Sequence, residues 1–398
     1  MERGAFVSYK DIHFEKASHQ FDYRIGHGAL DSLVEKLSEL GDFKKVTILC
    51  DKVDEPRTAK EVTDLLEAAG ITCVLHAVRF GDEVRTFEEA GRVLERLIEK
   101  EGMDPDLFIA CGPLSILKLG SYISYLLDAN LPLVFIPTNP LSALLAPITG
   151  ASVNLGKLKD ALTKEPQVLY MCYDFESEKH LGLKTLRDVY PYLARFCFAN
   201  SAYAFNSLCL DAEKLKQKDA LSYLTHMSNA LYQLSKLVKE TGSQEELMKT
   251  PELCFADYTQ KALERSVNKN TFYPGEYMAD AMRLDLALAQ HKLGLESAYK
   301  EMLNDFFSTL SIKALDIDLA VETYFVSMLG ESQEFLNLNE EEQEKRGLAE
   351  EISLLLPHKP GEFEEVVLDQ ADLISVLEDF AAERRELVPV HRRRDYKK

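Results

Sequence analysis

The sequence lacks the features that would place this protein in a membrane. No run of about 18 apolar residues occurs anywhere in the 398 residues, which argues against a transmembrane helix. Residues 1–21 carry charges throughout and have no apolar core, so they predict neither a signal peptide nor a membrane anchor. We therefore expect no association with a membrane.

Cysteine is scarce, and its spacing predicts no disulfide framework. The chain has seven cysteines, an odd number, and none of them form a C-x-x-C pair. Such scattered residues are typical of reduced, mostly buried thiols. The sequence therefore predicts a cytoplasmic location.

Positive charge is also in short supply. The 46 lysines and arginines stand against 66 acids, and the formal net charge is -20. A surface of this sign repels phosphate backbones, so we expect no nucleic-acid partner. The basic residues 391–394 near the C-terminus form a short run, which we interpret as a solvated tail.

The familiar motifs of metal, nucleotide and nucleophile sites are missing. No two of the nine histidines stand at the spacing of one helical face, and no G-x-S-x-G elbow occurs. The segment from Gly150 to Lys157 has a spacing one residue too long for a phosphate loop. Leu158 stands where such a loop needs Ser or Thr.

The first part of the chain does carry a clear alternation of elements. Apolar runs at 46–49, 74–78, 107–110 and 133–136 predict strands, and residues 30–40, 58–69 and 86–101 have helical spacing. Continuous apolar runs indicate strands that are covered on both faces, and intervening helices imply a parallel sheet. Residues 1–175 are therefore predicted to form a Rossmann-like α/β domain.

The pattern changes in the second part, where helices dominate. Helical stretches are predicted at 186–210, 220–240, 255–268, 276–293 and 297–310, and the next strand signal is at 364–368. The acidic stretch 339–351 is interpreted as a solvated helix or connector. Residues 176–398 are therefore predicted to form a mainly α-helical domain.

Short segments in a fixed order resemble 3-dehydroquinate synthase over nearly the whole chain. They correspond to an opening strand and turn, a strand end, a loop before a helix, a glycine-rich turn, a Pro-Thr segment, three helical segments and a terminal strand. In this sequence they are Tyr23–Gly26, Leu49–Asp51, Gly81–Glu88, Ile109–Gly120, Pro137–Asn139, Tyr190–Phe196, Ala262–Glu264, Pro274–Glu276 and Gly361–Asp369.

This resemblance implies a two-domain fold with a known chemistry. Members of the family bind NAD in the first domain and a divalent metal, usually zinc, in the second. They close a seven-carbon sugar-acid phosphate into a ring through oxidation, phosphate elimination, reduction and aldol closure. The resemblance also implies self-association through the first domain.

The residues at the metal positions depart from the family pattern. By the resemblance, Tyr192 replaces the metal glutamate, and Asp257 and Pro274 replace the two metal histidines. A neutral phenol is a poor ligand and proline has no side-chain donor, so one carboxylate remains where a catalytic zinc needs three protein ligands. We therefore expect neither a metal nor a cofactor. Zinc and NAD are expected only if the family function persists.

The positions for the nucleotide and the substrate are also altered. The glycine triplet corresponds to Cys111-Gly112-Pro113, in which proline offers no N–H to a phosphate. Further polar groups of the family are replaced by other side chains at Leu117, Leu145, Ala151, Thr250 and Cys254.

Some polar residues persist at family positions. Asp51 stands at the strand end whose acid faces the adenosine ribose, and Gly112 and Thr138 are the other weak candidates for cofactor binding. Arg195 replaces a lysine of the family. Asp82 and Arg85 keep the charge signs of their loop.

These residues leave three hypotheses open. In the first, the protein is a non-catalytic structural or regulatory homologue. In the second, it is a divergent sugar-phosphate cyclase with a rebuilt site, for which Arg195, Asp257 and Glu276 are residual catalytic candidates, with Asp280 as a further acid. In the third, it binds a nucleotide or a phosphorylated metabolite as a sensor. The expected partner is a second copy of the chain or another protein.

Overall fold

The computed structural model describes residues 8–79, 81, 84–100, 102–155, 158–266, 272–315, 352–369, 372–373, 375–377 and 380. The acidic stretch 339–351, the basic residues 391–394 and Asp82 lie outside the described residues. The chain divides into two compact units. The first contains Met1–Leu186 with Met227–Ser243, and the second contains Arg187–His226 with Gln244–Lys398. The sequence placed a single boundary after residue 175.

A seven-stranded sheet forms the centre of the first unit. The strands of this unit are β1 (Ser8–Glu15), β2 (Gln20–His27), β3 (Lys45–Asp51), β4 (Thr72–Val78), β5 (Leu107–Gly112), β6 (Leu133–Pro137), β7 (Ala151–Leu155), β8 (Leu158–Lys164) and β9 (Val168–Asp174). The order in the main sheet is β1-β2-β9-β6-β5-β3-β4. All neighbours are parallel except β1 and β2, while β7 and β8 form a separate antiparallel hairpin.

The central strands are buried along their whole length. Every residue of β5 and β6 is buried, as are six consecutive residues of β3 from Val46. Such runs form strands because neither face meets water, so no polar alternation is needed. The predicted parallel sheet of an α/β domain is confirmed.

Five helices of the first unit connect the strands. They are α1 (Leu33–Leu40), α2 (Lys60–Ala68), α3 (Phe87–Glu99), α4 (Leu114–Leu127) and α5 (Pro140–Leu145). The Thr86 side chain accepts a hydrogen bond from the Glu89 N–H and so caps α3, and Asn139 caps α5 through the Ser142 N–H. The Thr86 cap lies at the predicted start of its helix, whereas α5 was not predicted. A short turn, Glu55–Ala59, with non-helical dihedral angles at Arg57, precedes α2.

Helices make up most of the second unit. After α6 (Leu183–Arg187) the chain forms α7 (Tyr190–Asn200), α8 (Ala202–Leu210), α9 (Ala212–Lys216), α10 (Ala220–Glu240), α11 (Gln244–Met248), α12 (Pro251–Cys254), α13 (Asp257–Ser266), α14 (Pro274–Leu293) and α15 (Ser297–Thr309). The larger part of α10, from residue 227 onward, belongs to the first unit. A hairpin of β10 (Ile352–Lys359) and β11 (Glu362–Leu368) follows. Among the described helices, none is long and apolar enough to cross a bilayer.

An aromatic cluster fixes the hairpin to α7. The ring centroid of Phe198 lies 4.9 Å from that of Phe205 and 5.5 Å from that of Phe255, and Phe363 of β11 lies 5.4 Å from Phe255. The Gly361 N–H donates to the Phe198 carbonyl oxygen at 3.0 Å, and a Cβ at Gly361 would meet Asn200 backbone at 2.9 Å. The hairpin turn therefore needs glycine at this point, where φ is +86°.

Candidate functional site

Three of the predicted residues lie at the same edge of the main sheet. Asp51 ends β3, Gly112 ends β5, and Thr138 follows β6, and these strands are neighbours in the sheet. The Thr138 N–H donates to the Gly112 carbonyl oxygen at 3.3 Å. This carboxyl edge is where open α/β sheets bind their ligands. The structure therefore brings the three residues together.

A second carboxylate, which the sequence analysis missed, links two of these residues. Asp54 accepts a hydrogen bond from the Thr138 hydroxyl at 2.6 Å, and its N–H donates to Asp51 Oδ1 at 2.8 Å. Burial raises the pKa of Asp54 to about 6, against the effect of the Thr138 bond. Its position three residues beyond a strand end was the available signal.

Asp51 keeps one oxygen atom without a partner. Its Oδ1 accepts the N–H groups of Val53 and Asp54, whereas its buried Oδ2 has no hydrogen-bond partner among the described residues. Burial raises the pKa of Asp51. An unsatisfied buried oxygen is compatible with a hydroxyl donor such as that of a ribose.

The start of α4 fits the phosphates of a nucleotide poorly. Its first N–H group, that of Leu114, donates to Ser142 Oγ at 2.9 Å, and Pro113 has no N–H. A phosphate at a helix start needs such groups to point at it. A Cβ at Gly112 would lie 2.9 Å from Ile116, so this glycine is required by packing inside the protein. The residues present therefore suit the ribose of NAD better than its phosphates.

In the second unit, Arg195 of α7 is buried beside aromatic rings. Its side chain is 3% exposed, and its guanidinium carbon lies 5.2 Å from the Tyr192 ring centroid and 5.6 Å from that of Phe196. Its Nη1 donates to the Leu253 carbonyl oxygen at 3.1 Å, and its Nε has no hydrogen-bond partner among the described residues. Burial lowers the pKa of Arg195, while the charge of Asp257 opposes this.

Asp257 is only a distant partner for this guanidinium. Its Oδ1 lies 3.8 Å from Arg195 Nη1, beyond hydrogen-bond range, and its Oδ2 lies 2.8 Å from Lys261 Nζ on the next turn of α13. The Asp257 side chain is 28% exposed. Two of the three residual catalytic candidates are therefore close together, but they do not form a tight ion pair.

Tyr192 belongs to a hydrogen-bonded chain of side chains. Gln260 Nε2 donates to the Tyr192 hydroxyl at 2.9 Å and to Glu264 Oε1 at 2.9 Å, and the Tyr192 hydroxyl lies 3.2 Å from Gln260 Oε1. Burial, together with the nearby Asp188, raises the pKa of Tyr192. The phenol is therefore kept neutral and is held by an amide.

Asp188, which the sequence analysis also missed, joins the start of α7 to the start of α14. It accepts the Gly275 N–H at 2.5 Å, and burial raises its pKa to about 7, with a further contribution from Glu276 and Glu264. Its neighbour Pro274 is exposed at the first position of α14. Asp188 is thus a buried acid that can exchange a proton near neutral pH.

Glu276 and Asp280 have other partners along α14. Glu276 accepts the Tyr273 N–H at 3.0 Å and so caps the helix. Asp280 lies 2.7 Å from Arg283 Nη1 and accepts the Leu315 N–H. The structure therefore gives each of these acids a local structural contact.

A zinc ion does not fit the residues at the family's metal positions. Tyr192 is hydrogen-bonded to an amide, Asp257 faces a lysine, and Pro274 has no donor. Across the described ranges, with their gaps, no group of three His, Cys, Asp or Glu side chains could hold a metal ion. We therefore derive no reaction step through a metal.

A buried aspartate supports the turn that carries Asp257. Asp285 accepts the Thr259 hydroxyl at 2.5 Å and the Ala256 N–H at 3.1 Å, and Ala256 has a φ of +61°. Such a backbone conformation costs about 1 kcal/mol or more for a residue other than glycine. Burial raises the pKa of Asp285 to about 7, against both hydrogen bonds.

The raised pKa of Asp285 predicts a pH-dependent stability. From its ordinary pKa of 3.8 up to about 7, the folded protein keeps a proton that the unfolded chain has lost. The free energy of unfolding therefore falls as pH rises through this window, by on the order of 3 kcal/mol from this group. We expect Asp285→Asn to reduce this decrease in the free energy of unfolding, as measured by urea unfolding at successive pH values. The exposed Asp64→Asn variant is the control, and equal slopes in wild type and Asp285→Asn would contradict the prediction.

Comparisons with known proteins give related results for sequence and structure. The chain is 24% identical to 3-dehydroquinate synthase of Paracoccus denitrificans (strain Pd 1222) over 216 residues, which span 54% of this chain and 59% of that enzyme. The match thus covers less than two thirds of the relative. No protein-family model matches the chain.

Solved structures match over a larger share of the chain. A structure of 2-deoxy-scyllo-inosose synthase complexed with carbaglucose-6-phosphate, NAD+ and Co2+ covers 94% of this chain with a TM-score of 0.73 and 13% identity, and is itself covered over 100%. The 2-epi-5-epi-valiolone synthase of Streptomyces hygroscopicus subsp. jinggangensis 5008, with NAD+ and Zn2+ bound, also gives a TM-score of 0.73 at 15% identity, covering 95% of this chain and 99% of that one.

The fold of this chain is that of the sugar-phosphate cyclases, with a parallel-sheet unit and a mainly helical unit. The resemblance to 3-dehydroquinate synthase that the sequence suggested is confirmed. At these identities the structural matches establish the fold alone.

Proposed function

We propose that the protein is a divergent enzyme of the sugar-phosphate cyclase type, with a rebuilt site in its helical unit. The ligand is an anionic sugar derivative, a sugar phosphate or a sugar acid, bound by Arg195. The observation that carries this proposal is the buried guanidinium, whose Nε has no partner among the described residues.

A buried guanidinium calls for an anion at close range. Taking such a charge out of water costs several kcal/mol, which a carboxylate 3.8 Å away and shared with Lys261 offsets only in part. A phosphate or carboxylate oxygen at Nε would supply the missing charge-assisted hydrogen bond. Arg195 therefore supports the binding of an anionic ligand, and it is also the residue that replaces a family lysine.

The proton chemistry is assigned to Asp188. A carboxyl group with a pKa of about 7 can act as acid or base at neutral pH. In an elimination, the Asp188 carboxylate would accept a proton from carbon, and the electrons of the broken C–H bond would form a C=C bond. The C–O bond on the adjacent carbon would break, and the phosphate would leave with its electrons. The neutral phenol of Tyr192 would orient the substrate by a hydrogen bond. None of these steps requires a metal ion.

Replacing Arg195 tests the proposal. We expect Arg195→Met to weaken binding of a seven-carbon sugar-acid phosphate, or of glucose 6-phosphate, by about 100-fold, because the ligand loses its buried ionic partner. Arg195→Lys should retain part of the affinity. Isothermal titration calorimetry gives the dissociation constants, and Lys261→Met, at a half-exposed lysine of the same cluster, is the control.

Release of inorganic phosphate from the same compounds measures turnover. Asp188→Asn is expected to abolish it while leaving the dissociation constant within a few-fold of the wild-type value. Wild-type protein that binds none of these compounds, or that binds them as tightly after Arg195→Met, contradicts the proposal.

A non-catalytic homologue is the second candidate, and the start of α4 favours it. There the Leu114 N–H donates to Ser142 Oγ, and Pro113 has no N–H. Neither residue therefore offers a backbone N–H to a nucleotide phosphate. Such a protein would act through a second copy of itself or through another protein. Binding of a sugar phosphate without phosphate release would support this candidate, or a sensor, over the enzyme.

A further inference from the structure

A second cluster of polar and cationic side chains lies in the α/β unit, at residues that the proposed function does not use. Arg85 precedes α3, Lys118 lies on α4, and Ser152 lies on β7. Arg85 Nη1 lies 3.2 Å from Ser152 Oγ, and all three side chains contact the carboxylate of Asp160 on β8. We call Arg85, Lys118 and Ser152 the cationic cradle.

The contacts of the cradle converge on one oxygen atom. Asp160 Oδ1 lies 2.5 Å from Arg85 Nη1 and 3.2 Å from Lys118 Nζ, and it also accepts the Ser152 hydroxyl. The Arg85 side chain is 5% exposed, whereas that of Asp160 is 39% exposed. The carboxylate thus contacts a buried guanidinium, a buried hydroxyl and a partly exposed ammonium, with solvent on its other side.

The backbone places Asp160 there at a conformational cost. Its φ is +50°, which is unfavourable for a residue with a Cβ, and the β7–β8 pairing shifts register between Val153 and Leu155. The Asp160 N–H donates to Asn154 Oδ1 at 2.9 Å, and the Asn154 N–H donates to the Arg85 carbonyl oxygen. The irregular hairpin therefore places the Asp160 carboxylate against the cationic cradle.

We propose that the cationic cradle is a binding site for a phosphate group and that Asp160 occupies it as an internal substitute. A guanidinium, an ammonium and a hydroxyl that meet at one point form a typical donor set for phosphate. A bound phosphate displaces the Asp160 carboxylate toward solvent, where it is already partly exposed. The position of the β7–β8 hairpin then depends on whether phosphate is bound.

Removing the internal carboxylate is the direct test. Asp160→Gly deletes it and relieves the positive φ, and Asp160→Asn deletes the charge at nearly constant size. Both variants are made in the Arg195→Met background, so that phosphate bound at Arg195 does not contribute. We expect each to bind inorganic phosphate about tenfold or more tightly than the Arg195→Met protein, because no side chain competes for the cradle.

Two controls separate this site from general charge effects. Adding Arg85→Gln to Asp160→Gly should return the phosphate affinity to that of the Arg195→Met protein or below it. Acetate at the same ionic strength should gain much less than phosphate from Asp160→Gly. A folded Asp160→Gly protein with unchanged phosphate affinity overturns the proposal, as does a gain that survives Arg85→Gln.

Discussion

Replacement of Gly275 by alanine is expected to lower the free energy of unfolding by about 3 kcal/mol. A Cβ at this position would lie 2.3 Å from the carbonyl oxygen of Asp188 and 2.7 Å from its Oδ1. The first atom is backbone and the second belongs to a short, buried side chain that is hydrogen-bonded, so neither can move away cheaply. The change also pushes apart the Gly275 N–H and the Asp188 carboxyl group, which are hydrogen-bonded at 2.5 Å.

Chemical denaturation of wild type and Gly275→Ala gives the difference in free energy. The matched control is Gly91→Ala, at an exposed position inside α3 where a Cβ meets nothing within 4 Å. That variant should gain up to about 1 kcal/mol, because alanine favours a helix more than glycine does. If Gly275→Ala were as stable as wild type, Asp188 could not pack on Gly275 as described.

Loss of the Asp280 carboxylate should cost about 3 to 5 kcal/mol of stability. Asp280 is 1% exposed as a side chain and lies 2.7 Å from the equally buried Arg283, one turn further along α14. Asp280→Ala leaves the guanidinium without its nearest counter-charge in an apolar interior. It also removes the acceptor of the Leu315 N–H.

A double variant separates the charge effect from the loss of packing. Asp280→Leu combined with Arg283→Met removes both charges, and we expect it to be more stable than Asp280→Ala. The exposed Lys60–Asp64 pair on α2 is the control, since Asp64→Ala should cost less than about 1 kcal/mol. Urea denaturation measures all these variants, and an Asp280→Ala loss as small as that of Asp64→Ala would refute the prediction.

The strands of the sheet were predictable because burial on both faces leaves a mark in the sequence. The runs at 46–49, 107–110 and 133–136 lie within β3, β5 and β6. The apolar segment Val168–Asp174 of β9 was not predicted, although it has the same character. The hairpin of β7 and β8 was also missed, since its pattern is polar and irregular and its pairing shifts register.

Helix boundaries were predicted less well where capping decides them. The sequence suggested one helix over residues 186–210, whereas the structure has α7 and α8 separated at Ser201. The Ser201 side chain accepts the Ala204 N–H, which starts a new helix. Likewise the predicted helix 255–268 begins only at Asp257, because Ala256 has a positive φ. Hydrophobic periodicity continues across such breaks and does not reveal them.

Residues of the candidate site were predictable only where their place in a strand or helix was enough to identify them. Asp51, Gly112 and Thr138 could be placed at the sheet edge from strand ends, and Arg195 from its helix. Asp188 and Gln260 could not be found in the same way. Their roles depend on contacts with Gly275 and Tyr192, which are far from them in sequence.

The attachment of the β10–β11 hairpin to α7 has a consequence for biosynthesis. Phe198 leaves the ribosome long before Phe363, yet the aromatic cluster and the Gly361 N–H bond require both segments. Until then a nascent chain presents an incomplete apolar surface, which invites aggregation or capture by chaperones. A ribosome-stalled or truncated chain that ends before Ile352 should therefore leave its helical unit unfinished.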